Sequence, residues 1–554
     1  MNLATTTAPV AAPTSGSSPF AVPLKTRFDS LHARRMQKIH TAIECAKLTI
    51  PALFPEYPDQ RGERLLPVNY NSVGARAVHN LASKVMIALF PPSTPFYKLT
   101  AEEAIVQQIA ELDAQTSSDG SSPGLKTQIE EKLSILEGII LNQFERKATR
   151  AKIYQCLSLM IVTGDALIRK LKDRPLKVYN LHNYVVTRDG EGEWTELITK
   201  EVCGYRTLPD DLRKLLAERS TASDPVISDP LNAVVELYTV VERESENRYR
   251  TWQEIGGIRV PGSEGSYDKT HVPYLVLRWS AIDGEDYGRG MVEDYRGALR
   301  SIENHEETMD KITRACGKII PMVNPNGVTK PEKLNRAKDG EFVYGNPEEV
   351  RFFTVDKLND FTVISTRAAE IRNDIKAAFL MNSVVQRSGE RVTAEEIRTV
   401  AAELEEALGG VYSVLSQEFQ LPLVNLLYEE AKVEFRKLGN DFDLELGKEL
   451  RVQITTGIDA IGRGNDANKL RMFIAALREL GDPSAYSWLV ISDFIKRLGL
   501  SYGVDMKGLV LTEEQYQEKQ QMAQQTAMRE QLVGAASQAI PGVIESAVGG
   551  VVQQ

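Results

Sequence analysis

From Met291 to Cys316 the chain runs about 26 residues without a proline, and Val292, Tyr295, Leu299, Ile302 and Met309 recur along it at spacings of 3, 4, 3 and 7. That is close to the heptad period by which long helices pack on neighbours. At 1.5 Å per residue such a helix would reach roughly 39 Å. A second stretch, TRAAEIRNDIKAAFL from Thr366 to Leu380, carries Ile371, Ile375 and Phe379 on one stripe. Between the two lies a short β-rich excursion containing GKIIPMVN, GEFVYG, EVRFFTV and FTVIST. Two long helices tipped by a small β module leave both stripes short of partners in a single copy. Repetition around a ring would supply them. The first helix carries six acids (Glu293, Asp294, Glu303, Glu306, Glu307, Asp310) against four bases (Arg296, Arg300, Lys311, Arg314), and residues 317–340 reverse that sign. The charges read as a solvated helix face and a lysine-rich loop, or, in a ring, as alternating bands.

The segment after the second helix, QRSGERVTAEEIRTVAAELEEAL, joins a charged loop to a helix with its own start signal. Thr393 followed three residues later by Glu396 makes a capping box. Ile397, Val400, Ala401, Leu404 and Leu408 then follow the period of one buried helical face. Gly409 and Gly410 interrupt, Val411, Val414, Leu415 and Phe419 resume the stripe, and Pro422 predicts a kink. The expectation is one long, bent helix to about Arg436. A charged loop is by default a solvated connector, so the loop alone assigns nothing.

Elsewhere the 554 residues, 42% of them hydrophobic, predict roughly three or four domain-sized units. Residues 24–49, 72–90 and 125–163 read as helices, the last with Ile129, Leu133, Leu136, Ile139, Ile140 and Phe144 on one stripe. From about Asp165 to Trp279 the period changes to that of strands separated by Gly, Pro and Asp turns. The fold class is α+β, mainly helical. Leu511–Ile540 allows about 28 residues of polar helix or a frayed tail, and residues 1–23 read as a flexible tail. Four scattered cysteines without a C-x-x-C pair give no redox or zinc signal. The six histidines show no metal spacing, no phosphate-binding G-x-x-x-x-G-K-[ST] loop occurs, and the helical carboxylates near Glu396 have no His beside them. Catalysis, metal and cofactor are therefore not expected. A net charge of −10 argues against a general DNA binder with a broad basic footprint. A membrane pore or ejection protein is the alternative, suggested by LVGAASQAIPGVIESAVGGVV, but Pro541 and Glu545 break that run.

Several long stretches resemble the portal, or head-to-tail connector, proteins of short-tailed phages of the autographivirus type: LTIPALFP, NSVGARAVHNLASKVMIALFPP, LHNYVVTRDG, DGEDYGRGMVEDYRGALRSIEN, MNSVVQRSGERVTAEEIRTVAAELEEALGGVYSVLSQEFQLPLV, TTGIDAIGRG and LVLTEEQ. The resemblance runs from about Arg27 to Gln520. It implies a dodecameric ring around a central DNA channel, with wing, stem, clip and crown regions. On this chain it implies a wing over 24–290, stem helices at 291–316 and 366–381, a clip at 317–365 and a tunnel loop at 382–392. A long bent wing helix at 393–436, a wing and crown segment at 437–510, a crown helix at 511–540 and a C-terminal tail at 541–554 complete that map. Arg387, Ser388, Gly389, Glu390 and Arg391 are then the channel loop, with the two arginines facing phosphates and Gly389 allowing a bend. Lys318, Lys330, Lys333, Arg336 and Lys338 are the clip's docking residues. The implied partners are other copies of the chain, non-specific double-stranded DNA, the terminase large subunit, a tail adaptor or tubular protein, the major capsid protein, scaffolding protein and internal core proteins, with no membrane. The implied place is the portal vertex of the virion capsid, after synthesis in the host cytoplasm.

Overall fold

The computed structural model describes residues 22–56, 66–91, 96–101, 125–219, 229–231, 233–316, 321–352, 358–381, 394–408, 410–437, 452–456 and 463–479, with single positions at 494, 495, 498 and 522. Helix outweighs strand among them, as the α+β, mainly helical expectation has it. The chain divides into two compact units, Met1–Ser93 with Asn142–Glu430, and Thr94–Leu141 with Ala431–Gln554.

The first unit is built around the helix Thr149–Thr163, which buries Ile153, Cys156, Leu157, Leu159, Met160, Ile161 and Val162. A helix apolar on every side needs neighbours on every side. It has them in the helices Met36–Leu48 and Val73–Leu89 and the strand Asp165–Arg169. That strand is the centre of a three-stranded antiparallel sheet, between Tyr274–Arg278 and Lys177–Tyr179. A larger antiparallel sheet follows chain order through Tyr184–Arg188, Trp194–Gly204, Val234–Ser245, Arg248–Ile255 and Ile258–Arg259, and Gly265–Asp268 pairs back onto Arg248–Ile255. The helix Leu24–Arg34 lays Leu24 and Phe28 on this sheet against Val185, Ile198, Tyr238, Val240 and Trp252. Arg27 beside them reaches Glu196 at 2.5 Å and Glu242 at 3.4 Å.

Two helices expected to be continuous are divided. The stretch 24–49 breaks at Arg35, which turns inward: its guanidinium donates to the Leu181 carbonyl and lies 5.0 Å over the Tyr287 ring. The stretch 125–163 breaks into Leu125–Arg146 and Thr149–Thr163 at Ala148, whose φ of 49° is left-handed. The bend lets Arg150 donate to both Glu145 and the Pro91 carbonyl, at 2.8 and 2.9 Å.

The glycine-rich turn ahead of Met291 has a steric reason. Helix Thr149–Thr163 ends at Gly164 with φ 88°, where a Cβ would lie 2.5 Å from the Gly288 carbonyl oxygen. A Cβ on Gly290 would lie 2.7 Å from the Ile161 carbonyl oxygen. Only bare backbone allows the two turns to interlock. The Asp165 carboxylate accepts the Gly288 N–H at 2.8 Å and fastens the same turn. After it the helix opens as Met291–Asp294, breaks at Tyr295, and continues as Arg296–Cys316.

The β-rich reading of 317–365 is corrected in part. Among the described residues only Pro321–Val323 and Val350–Phe352 form strands, as an antiparallel pair. Pro331–Arg336 is a short helix, and FTVIST lies inside the helix Leu358–Ala378. β-branched residues lose only a few tenths of a kcal/mol each in a helix, less than is gained by extending a nucleated one. The single bent helix expected over 393–436 is likewise segmented into Ala394–Leu408, Val411–Leu415, a π turn over Ser416–Gln420, and Leu421–Lys437. Gly410, with φ 92°, makes the first break. The π turn lies just upstream of Pro422, where the missing N–H and the ring force the hydrogen-bond register to widen.

In the second unit Tyr97–Ala101 pairs antiparallel with Val452–Thr456. Buried Glu137 ties this sheet to its helix, accepting Leu99 N–H at 2.8 Å on its carboxylate and the Tyr97 hydroxyl at 2.7 Å on its carbonyl. Arg463–Glu479 is a helix. The expected helix at 511–540 lies outside the described residues.

Candidate functional site

The helices Arg296–Cys316 and Leu358–Ala378 pack against each other. Val292, Leu299 and Ile302 are buried on one side, with Ala368, Ile371, Ile375 and Phe379 on the other. Tyr295 meets Phe379 edge-on with ring centroids 5.5 Å apart. The charges expected to form a solvated face are largely paired. Glu306 takes Arg372, Glu303 takes the backbone N–H of Tyr70 and Asn71 at 2.6 and 3.1 Å, and Lys38 holds Glu293 at 2.9 Å. Burial stops partway along: Met309 is half-buried, Thr313 is exposed and Val363 is 69% exposed. The ends nearest the 321–352 module therefore lack cover within one copy.

That module is held by polar groups. Thr329 is buried at its centre; its backbone N–H donates to Glu349 at 2.9 Å, and its hydroxyl accepts the Asn346 N–H at 2.9 Å. Hydrogen bonds from the Thr329 side chain and backbone hold the Glu349 carboxyl below its ordinary range. Large apolar side chains point outward instead: Phe342 is 99% exposed, Tyr344 92%, Val328 83% and Met322 57%. Exposed apolar side chains gathered on a small element are a feature shared by interaction sites. Lys330 precedes the helix Pro331–Arg336, Lys333 and Arg336 lie in its last turn, and Lys338 follows it. All four are exposed, and none makes an ion pair among the described residues. Lys318 lies outside the described residues.

Arg387, Ser388, Gly389, Glu390 and Arg391 also lie outside the described residues, as does the capping residue Thr393. Their flanks do not. Helix Leu358–Ala378 closes with Leu380 N–H on the Ala377 carbonyl at 3.1 Å and Met381 N–H on the Lys376 carbonyl at 2.8 Å. This is the Schellman pattern that normally uses glycine, yet Leu380 holds the left-handed φ of 55°. On the other flank Ala394–Leu408 packs on Val73–Leu89, with Lys84 3.6 Å from Glu403. Asn80 of that same helix donates to the Phe379 carbonyl at 2.9 Å. Val73–Leu89 thus grips both ends of the segment that carries the predicted loop.

Sequence reasoning missed Thr329 and Glu349, which carry no motif, and the outward aromatics, whose signal was the alternation in GEFVYG. Among the described residues no group of three His, Cys, Asp or Glu could hold a metal ion, and no helix is long and apolar enough to cross a membrane.

A family model described as bacteriophage head to tail connecting protein matches residues 22–510. The portal protein of Escherichia phage T7 is 37% identical over 522 residues, covering 93% of this chain and 92% of that relative. The portal protein of Enterobacteria phage T3 is 37% identical over 529 residues, covering 94% and 93%. That of Pseudomonas phage phiKMV is 28% identical over 515 residues, covering 90% and 94%.

Proposed function

The chain belongs to the bacteriophage head-to-tail connecting, or portal, protein family, and on that premise we propose that twelve copies form a ring at one vertex of the capsid through which double-stranded DNA is packaged and ejected. The observation that carries this reading is 37% identity to a portal protein across 93% of the chain. Supporting it are the uncovered ends of Arg296–Cys316 and Leu358–Ala378 and the outward aromatics beyond them, which neighbouring copies would bury.

In this ring 24–290 is the wing, 291–316 and 366–381 are the stem, 317–365 is the clip and 382–392 the tunnel loop. The segmented helical run at 393–436 belongs to the wing, and the C-terminal segments at 437–510 and 511–540 build wing and crown. Arg387 and Arg391 meet phosphates from the loop, with Ser388 as a neutral donor, Gly389 as the bend and Glu390 as a counter-charge. Phosphate contacts position DNA without reading sequence, which suits a pore that must pass any genome. Each phosphate neutralised adds salt-dependent affinity. A uniformly basic channel would hold what it must release, and sparse basic rings in a chain of net charge −10 leave DNA mobile.

The ring is a conduit rather than a catalyst. ATP hydrolysis belongs to a terminase motor docked at the clip through Lys318, Lys330, Lys333, Arg336 and Lys338, and a tail adaptor later takes the same face. Capsid, scaffolding and internal core proteins meet the ring from the head side; synthesis is in the host cytoplasm.

Electron microscopy of the purified protein tests the reading. Top views are expected to show rings with a central hole, and a stable 61.7 kDa monomer under assembly conditions would overturn it.

A further inference from the structure

Glu341–Tyr344 has the composition of a strand and, among the described residues, no strand partner. Phe, Val and Tyr are among the strongest strand formers, and glycines flank the stretch at Gly340 and Gly345. Exposure alternates with the period of a strand: Phe342 and Tyr344 face outward while Val343 is half-buried. No hydrogen bond joins the backbone of Phe342, Val343 or Tyr344 to any other described group. The same module also holds an open acceptor. Among the described residues Pro321–Val323 and Val350–Phe352 pair only with each other, so each has an edge that no described strand occupies. Pro321 lacks an N–H and spoils one of them, which leaves the outer edge of Val350–Phe352.

We propose that Glu341–Tyr344 of one copy adds as a strand to the outer edge of Val350–Phe352 in the next copy. This deepens the ring reading and rests on it. Donor and acceptor lie on different parts of one module, so the contact is head-to-tail. Contacts of that type close into rings when the rotation allows. Charge favours a second copy: the donor carries Glu341, the acceptor carries exposed Arg351, and neither makes an ion pair among the described residues. Opposite charges across paired strands stabilise the pair. Phe342 and Tyr344, at ~150–250 Å² each, would bury their rings in the same step. Main-chain pairing supplies the bond and the alternate side chains supply the fit, as in other strand additions.

The test uses the full-length chain with a proline scan. Successive N–H groups along a strand point to opposite edges, so Phe342→Pro and Val343→Pro remove donors on opposite sides. One of the two is expected to lower the ring fraction at fixed protein concentration by about tenfold or more, and the other to assemble like the parent. Both should keep the parent's melting temperature as dissociated chains, since neither N–H is used within a copy. Phe342→Cys and Tyr344→Cys, each combined with Arg351→Cys, are also oxidised in assembled rings. Non-reducing gels should then show a ladder of multimers for one register, absent from the single-cysteine variants. Both proline variants assembling like the parent, no ladder from intact rings, or cross-linking to a tail adaptor in place of a second copy would each overturn the pairing. Failure of the parent to form rings at all would instead remove the ring reading.

Discussion

Glu430 is expected to be a principal electrostatic clamp of the first unit, and Glu430→Gln measures it. Its carboxylate meets Lys147 and Lys170 at 2.5 Å each and accepts the Asp173 N–H at 3.0 Å, with only 9% of the side chain exposed. Burial pushes the carboxyl up, but the hydrogen bonds from Lys147, Lys170 and Asp173 outweigh it and hold the group at about 2, against an ordinary 4.5. A difference of that size corresponds to about 3 kcal/mol as an upper limit. Burial depresses Lys170 despite the pair, so part of the gain is offset at the lysine, and residual hydration screens more. About 2 kcal/mol is the working figure at pH 7. Because the folded value is lowered, this contribution is present above pH 4.5 and lost as the pH falls towards 2. Glu430→Gln keeps the shape and removes the charge. Amide exchange should speed up around Asp173 and along Leu421–Lys437 at pH 7, and melting should become less pH-dependent between pH 5 and pH 3. Wild-type exchange at residues 170–175 together with an unchanged melting temperature at pH 7 would refute the clamp.

Three further outcomes are expected. Arg387→Glu with Arg391→Glu should leave rings and proheads intact and lower nuclease-protected DNA per particle; full-length packaging with wild-type plaque yield would return the loop to a solvated connector. Reversing Lys330, Lys333, Arg336 and Lys338 to glutamate should weaken docking of the tail adaptor, most at low salt, and unchanged co-sedimentation would remove the idea. Burial pushes Asp165 up to about 7 against the opposing Lys38, the Gly288 N–H, Arg188 and Arg35. Its raised folded value means stability is fully present below pH 3.8 and lost as the pH rises through 7. Asp165→Asn, which still accepts the Gly288 N–H, should therefore melt higher than wild type at pH 8, by on the order of 2 kcal/mol, and match it near pH 4. An equal difference at both pH values would refute that account.

Helices whose stripe is long and unbroken were legible, because a single face decides them: Val73–Leu89 buries Val73, Ala77, Val78, Leu81, Val85 and Leu89, the spacing the sequence displays. Breaks were not legible where a tertiary contact makes them. Nothing in FERKATRA marks Ala148, since the bend is set by where Arg150 finds its acceptors. Arg35 looks like one more surface base until the Leu181 carbonyl and two tyrosine rings are brought under it. The interlock that demands glycine at 164, 288 and 290 joins positions more than a hundred residues apart in the sequence, so no local signal marks it. The proposed channel loop rests on family resemblance alone, and Arg387 to Arg391 lie outside the described residues.

The 321–352 module, the proposed clip, carries the remaining lesson. A strand prediction that fails inside one copy is ordinarily charged to weak propensity, as FTVIST is, where continuing a helix wins. GEFVYG differs physically: no competing element has claimed it, the backbone groups of Phe342, Val343 and Tyr344 make no hydrogen bond among the described residues, and Phe342 and Tyr344 face outward. Fixing a segment in one conformation costs entropy, and within a copy little beyond the hydrogen bonds around Thr329 offsets that cost. A chain that keeps Phe342 and Tyr344 in such a place gains from them only when another surface arrives. The mismatch between local preference and the fold of one copy is thus itself a measure of what a neighbouring copy would supply in the proposed ring.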